Sequence, residues 1–163
     1  MSIAVVAGVE VDTRHWIGGE RIASASSFQD VSPLTGQVIA DVSRGGQPEV
    51  DAAVAAAKAA FTDWSRTPAP ERAAILHRIA DGVESRLEDL AQVETLDNGS
   101  LLRSHRRGVM PRVAMNFRFF ADHLLRLHHD DFDTRGHRNH VSWDPAGVTA
   151  IITPWNAPLM LAT

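Results

Sequence analysis

The feature that most restricts the fold of this chain is the run Gly147-Val148-Thr149-Ala150-Ile151-Ile152, which passes straight into Thr153-Pro154-Trp155-Asn156-Ala157-Pro158. A short, apolar, β-branched run bounded by proline reads as a buried strand of a parallel sheet, and such a strand needs both faces covered. In sheets of this kind ligands bind beyond the carboxyl ends of the strands. The loop leaving this run carries one aromatic ring, one primary amide and two prolines that stiffen the backbone around them. An Asn held in this way can aim its NH2 at a developing oxyanion. Parallel neighbours joined by helical crossovers are missing from the rest of the chain. The expectation is an incomplete α/β architecture with unpaired edges, which self-associates, stays molten or depends on a partner chain.

Upstream, the order is strands, then helices, then strands. Residues 14–24 read as a hairpin around Gly18-Gly19, and 38–42 as a short strand ending at Arg44-Gly45-Gly46. Pro48 suits a first helical turn, after which Val50, Val54, Ala57 and Phe61 share one face. Pro68-Ala69-Pro70 starts the next helix, with the stripe Arg72, Ile75, Leu76, Ile79 and Val83. Gly82 weakens its continuity, so residues 84–97 form a candidate separate helix ended by Asn98-Gly99. From about Pro111 to His128, Val113, Phe117, Phe120, Leu124 and Leu127 mark a further helical face. The polar stretch 129–138 reads as a connector and 140–143 as a strand. There are no internal repeats.

Composition narrows the class. The 163 residues, 44% of them hydrophobic, suffice for one sizeable core. A net charge of −4 argues against a nucleic-acid partner. No apolar run approaches a membrane span, and the apolar N-terminus lacks the basic leader and length of a secretory signal, so a cytoplasmic location is the default expectation. There is no cysteine, hence no thiolate chemistry within these residues.

The segment 151–158 resembles the (I/V)-x-P-W-N-x-P motif of the NAD(P)-dependent aldehyde dehydrogenases. Three other segments resemble that family in order: His15-Trp16-Ile17-Gly18-Gly19-Glu20 its opening hairpin, Ser32-Pro33-Leu34-Thr35-Gly36-Gln37-Val38-Ile39 its N-P-x-T-G-x-x-I segment, and Glu94-Thr95-Leu96-Asp97-Asn98-Gly99 its E-x-x-D-x-G turn. With Asn116-Phe117-Arg118-Phe119-Phe120-Ala121, the suite is most similar to the branch acting on hydroxymuconic semialdehydes. The resemblance implies the N-terminal third of such an enzyme, as a truncated product or a partial gene. Its parts would be a frayed extension (1–13), the hairpin and helices of the dinucleotide-binding domain (14–135), an oligomerisation-type strand (136–146), and the first strand of a Rossmann-like sheet with its Pro-Trp-Asn loop (147–163).

The same resemblance implies site roles. Asn156 would hold the oxyanion of the thiohemiacetal that a cysteine outside this chain forms with the aldehyde. Ile152, Thr153, Pro154 and Trp155 would contact the nicotinamide and its ribose, with NAD and NADP both open. The other partners implied are a small-molecule aldehyde and, in a complete enzyme, further copies of the subunit. Phe117 and Phe120 would line part of a substrate entrance. Asp97 and the backbone of Val31 match positions where some members hold a monovalent cation. Read as a residue alone, Asn156 is more readily a turn cap, a preference that the Pro-Trp-Asn-x-Pro context reverses; core packing of Trp155 is compatible with cofactor contact, and Asp97 is at least as readily a helix-terminating residue. Glu94 reads as one half of a structural ion pair, with Arg103 or Arg106. The run His128-His129-Asp130-Asp131-Phe132-Asp133, with His137 and His140, holds zinc-type ligands at a spacing that matches no closed site, so no metal is assigned. No phosphate-binding glycine motif occurs. Two other readings stand beside the dehydrogenase: a noncatalytic module pairing with a full-length relative through residues 139–143, and a small metal-binding domain.

Overall fold

The computed structural model describes residues 2–163. Eight strands pair into four separate antiparallel two-stranded sheets: β1 (Ile3–Val6) with β2 (Val9–Asp12), β3 (His15–Ile17) with β4 (Glu20–Ile22), β5 (Ser27–Val31) with β6 (Val38–Ser43), and β7 (Asp130–Thr134) with β8 (His137–Val141). Between them lie the helices α1 (Gln47–Trp64), α2 (Ala69–Ser85) and α3 (Leu87–Asn98). The short α4 (Leu102–Ser104) runs through a π-helical turn, His105–Val109, into α5 (Met110–Leu124), and α6 (Pro158–Leu161) follows the Pro-Trp-Asn loop.

Several expectations change. In place of the expected frayed extension, Ile3–Asp12 form the β1–β2 hairpin, its register running from Ile3 opposite Asp12 to Val6 opposite Val9. The backbone NH of Ser43, at the end of β6, donates to Thr13 O, and Val6 is buried. The polar stretch 129–138 is not a connector but β7 and the turn into β8. Arg135 and Gly136 both take positive φ there, at 50° and 82°, as a two-residue hairpin turn demands. Residues 147–152 are neither helix nor strand. A parallel strand needs a parallel neighbour, and the described residues hold none, so Ile152 is 95% exposed and Ile151 66%.

The helices start and stop where their prolines and glycines dictate. Pro48 and Pro70 each sit in a first turn. The backbone NH of Gly46 donates to the Glu49 carboxylate at 2.7 Å. The break between α2 and α3 falls at Arg86 (φ −116°, ψ 23°) rather than at Gly82. Gly99 ends α3 in the left-handed conformation, with its NH on Thr95 O.

The apolar stripes hold in part: Val113 is fully buried and Val83 and Phe117 pack against the core, whereas Val50, Ile79 and Phe120 face solvent. α1 rests on β3 and buries none of its residues; Val50 is 54% exposed. α2 and α5 form the most extensive helix pair, and their fully buried side chains include Ala73 and Ala80 on one, Ala114 and Ala121 on the other. Small side chains seven residues apart let two helices approach closely, which turns the larger Ile79, Phe119 and Phe120 toward solvent. Arg118 braces this pair through Asp81 (2.8 Å) and Glu84 (2.6 Å). The core proper is Ala91, Met110 and Val113, flanked by Leu87, Leu90, Leu102, Phe117, Leu159 and Met160. Burying Met110 completely contributes about 2–3 kcal/mol. Among the described residues, no helix is long and apolar enough to cross a membrane.

Candidate functional site

The Pro-Trp-Asn loop is fixed at both flanks. On one side the Asn98 side-chain NH2, at the end of α3, donates to the backbone carbonyl of Asn156 at 3.3 Å. On the other, Pro158 opens α6, buried Ala157 precedes it, and Asn116 of α5 donates to Thr163 Oγ1 at 2.9 Å. The loop therefore rests on α3 and α5 and presents its own side chains outward. Trp155 is 82% exposed, and Pro154 and Asn156 are exposed as well.

Beneath the loop lies an open cleft of about 700 Å³, whose walls include Val31, Pro33, Asp97, Thr153, Pro154 and Trp155. The structure thus brings together three of the four expected cofactor-contact residues and both residues of the cation resemblance. Ile152 stands outside the cleft wall, in solvent. A broad apolar ring beside a threonine and two prolines fits one side of a planar cofactor ring, and the cleft is open on the other side. Asp30, next to Val31, lies beside Asp97; burial first, and that second carboxyl next, raise the Asp30 pKa.

Glu94 departs from expectation. It faces neither Arg103 nor Arg106, since Arg106 pairs with Glu88 on the helix surface. It is 7% exposed, its Oε1 has no hydrogen-bond partner, and the closest basic group is His105 Nε2 at 4.0 Å, too long for a hydrogen bond. Burial first, and the Asp97 charge second, push its pKa up to about 7. His105, itself 1% exposed, is turned instead to Thr95, with Nδ1 2.7 Å from Thr95 Oγ1. Burial lowers its pKa.

A second cleft, of about 860 Å³, was missed from the sequence. It is lined by Arg103, Arg107, Gly108, Val109 and Arg112 from the π-turn and its neighbours, and by Met160 of α6. Other arginines nearby are committed to carboxylates: Arg106 to Glu88, and Arg118 to Asp81 and Glu84. Arg112 instead donates to the amide oxygen of Asn116 at 3.1 Å. The signal in the sequence was the spacing 103, 107, 112, whose second step of five residues shares a helical face only across a π-turn.

The histidine-rich hairpin offers an ion pair, His140 Nδ1 to Asp131 at 2.9 Å, and stacked rings of His129 and His140. Among the described residues no group of three or more His, Asp or Glu side chains is gathered as metal ligands are. Phe117 packs against the core, whereas Phe120 is 51% exposed and stacks edge to face on Phe119.

The aldehyde dehydrogenase family model matches residues 21–163. The chain is 43% identical over 162 residues to the 2-hydroxymuconic semialdehyde dehydrogenase of Pseudomonas sp. (strain CF600), covering 93% of this chain and 33% of that protein. It is 36% identical over 150 residues to the 5-carboxymethyl-2-hydroxymuconate semialdehyde dehydrogenase of Escherichia coli, covering 91% and 32%. Among solved structures, indole-3-acetaldehyde dehydrogenase complexed with NAD+ superposes with a TM-score of 0.87 at 31% identity, over 94% of this chain and 32% of that one. HpcC from Thermus thermophilus gives 0.84 at 40% identity, over 92% and 30%. The chain spans about a third of the length of the relatives it matches. Its fold is that of the N-terminal portion of those enzymes, and the chain belongs to the aldehyde dehydrogenase family.

Proposed function

We propose that this chain supplies the oxyanion donor and one wall of the cofactor site for NAD(P)-dependent oxidation of a semialdehyde to a carboxylic acid. The observation that carries this reading is the loop Thr153-Pro154-Trp155-Asn156, anchored through Asn98 and α6 above the cleft that Trp155 and Thr153 line. The bound nicotinamide supplies the hydride acceptor. Trp155 and Pro154 give its ring an apolar face, and Thr153 offers a hydroxyl at the rim. The Asn156 carboxamide donates to the oxygen that becomes negative when a thiolate adds to the aldehyde carbon, lowering the barrier electrostatically. That thiolate comes from outside these residues, because the chain has no cysteine.

The substrate class is narrowed by the arginine cleft. A semialdehyde of the muconic type carries a carboxylate at its far end, and Arg103, Arg107 and Arg112 are guanidiniums suited to receive one. Met160, which lines that cleft, lies on α6, the helix that begins two residues after Asn156. Homo-oligomerisation through β8 belongs to the same reading, supported by a hairpin that leaves all five residues of β7 exposed. The test is a complete enzyme carrying this segment, assayed with a semialdehyde and with a neutral aldehyde of equal length. Arg107→Gln raises KM for the semialdehyde and leaves the neutral aldehyde unchanged; an equal effect on both removes the carboxylate from the reading.

A further inference from the structure

The arginine cleft depends on an irregular piece of helix. Arg103 lies on α4, Arg107 inside the π-turn and Arg112 on α5, yet all three line one cleft. From 107 to 112 is five residues, and in a continuous α-helix side chains five apart point well away from each other. The π-turn His105–Val109 supplies the extra residue that brings them round. A π-turn is less favourable than α-helix, so something outside it must hold it.

The holding contact begins at its first residue. His105 is fully buried against α3, and its Nδ1 lies 2.7 Å from Thr95 Oγ1. Its Nε2 lies 4.0 Å from the unpaired oxygen of buried Glu94, so it sits over a polar floor rather than in plain hydrocarbon. Arg106, the next residue, is pinned to Glu88 one helical turn before Gln92 on the same helix. Three residues beyond Thr95, Asn98 holds the backbone of Asn156. One turn of α3 therefore touches both the π-turn and the Pro-Trp-Asn loop.

We propose that the Thr95–His105 pair is a positioning contact that fixes the π-turn and thereby aims Arg103, Arg107 and Arg112 into one carboxylate-binding cleft. This rests on the carboxylate reading of that cleft. Neither residue touches the ligand. Their effect passes through the backbone of 105–109, and their loss weakens carboxylate binding without removing a charge.

In a complete enzyme carrying this segment, the experiment compares the unsubstituted protein with Thr95→Val, which keeps shape and loses the hydroxyl, and Thr95→Ser, which keeps the hydroxyl. Glutarate is the probe, followed by calorimetry, with amide hydrogen exchange at Arg106 to Val109 read in the same samples. Thr95→Val is expected to weaken glutarate binding about fivefold, the size of one neutral hydrogen bond, and to speed exchange in the π-turn. Thr95→Ser restores both. Where Thr95→Val does not fold, His105→Gln, whose amide can still meet Thr95, is expected to keep binding and His105→Leu to lose it. Glutarate binding that Arg107→Gln abolishes but Thr95→Val leaves unchanged, with unchanged exchange, overturns the positioning role alone. No glutarate binding by the unsubstituted protein overturns the carboxylate reading and the positioning role together.

Discussion

Asn98 and Asn156 are 58 residues apart in the chain, yet the side-chain amide of the first donates to the backbone carbonyl of the second. The contact uses the main chain of Asn156 and leaves its carboxamide exposed. The anchor fixes where the Asn156 backbone sits, and the proposed donor role of its carboxamide starts from that position.

In a complete enzyme carrying this segment, Asn156→Ala is accordingly expected to lower kcat by roughly 10²–10³, with a smaller change in cofactor affinity. Steady-state kinetics with a matched binding titration checks it. Equal losses in turnover and NAD binding would make Asn156 a loop-shaping residue.

The 163-residue chain by itself is expected to show no aldehyde oxidation with NAD or NADP, because it contains no cysteine. Cofactor reduction that co-purifies with the chain through several orthogonal columns would refute this.

Glu94 sets a pH dependence. Its usual pKa is 4.5 and its folded value is about 7, so between those limits the unfolded chain gives up a proton that the folded chain keeps. The unfolded state binds fewer protons there, and stability falls as pH rises, by up to about 3 kcal/mol. His105 acts oppositely: its folded pKa is lowered from 6.5, so its contribution is present above that pH and is lost as pH falls below it. Glu94 also lines a cavity with Asp30 and Asp97, and with the Arg14–Asp12 pair beside β2. Urea midpoints for the chain and for Glu94→Gln, measured from about pH 5 to pH 8, separate these effects. The variant is expected to lose most of the decline near neutrality; identical profiles would show that Glu94 is ionised in the folded state.

Gly99→Ala is expected to destabilise by about 2 kcal/mol or more. Its φ is +77°, and an added Cβ would lie 2.9 Å from Pro33 Cγ, in the loop between β5 and β6. A loss of unfolding free energy below a quarter of that size, read from denaturant titration, would mean the Pro33 loop yields freely.

What the sequence makes legible here is punctuation. Pro48, Pro68-Ala69-Pro70 and Gly99 bound helices through φ restriction or left-handed backbone, and Gly18-Gly19 turns a hairpin; these are local effects. Facing is less legible. The stripe Phe117, Phe120, Leu124 suggests a buried aromatic face, but close approach of α2 and α5 over Ala73, Ala80, Ala114 and Ala121 selects small residues and leaves Phe120 outside. β7, with the sequence Asp-Asp-Phe-Asp-Thr, carries no alternation because neither face is buried, so its strand is set by pairing with β8. Residues 147–152 fail as a strand for the opposite reason: the pattern is present and, among the described residues, the partner strand is not. At the candidate site, the Pro-Trp-Asn loop was visible as a motif. The arginine cleft was not, since its geometry depends on an irregular turn that no local propensity announces.

That turn also makes the helix a phase shifter. Deleting one residue from 105–109 would return the segment to α-helical register and rotate α4 by about 100° relative to α5. Arg103 would swing away from Arg112 while α2 and α5 stayed packed. A single-residue insertion or deletion at this point would therefore exchange the side chains offered to the cleft while the α2–α5 pair that carries it stays in place.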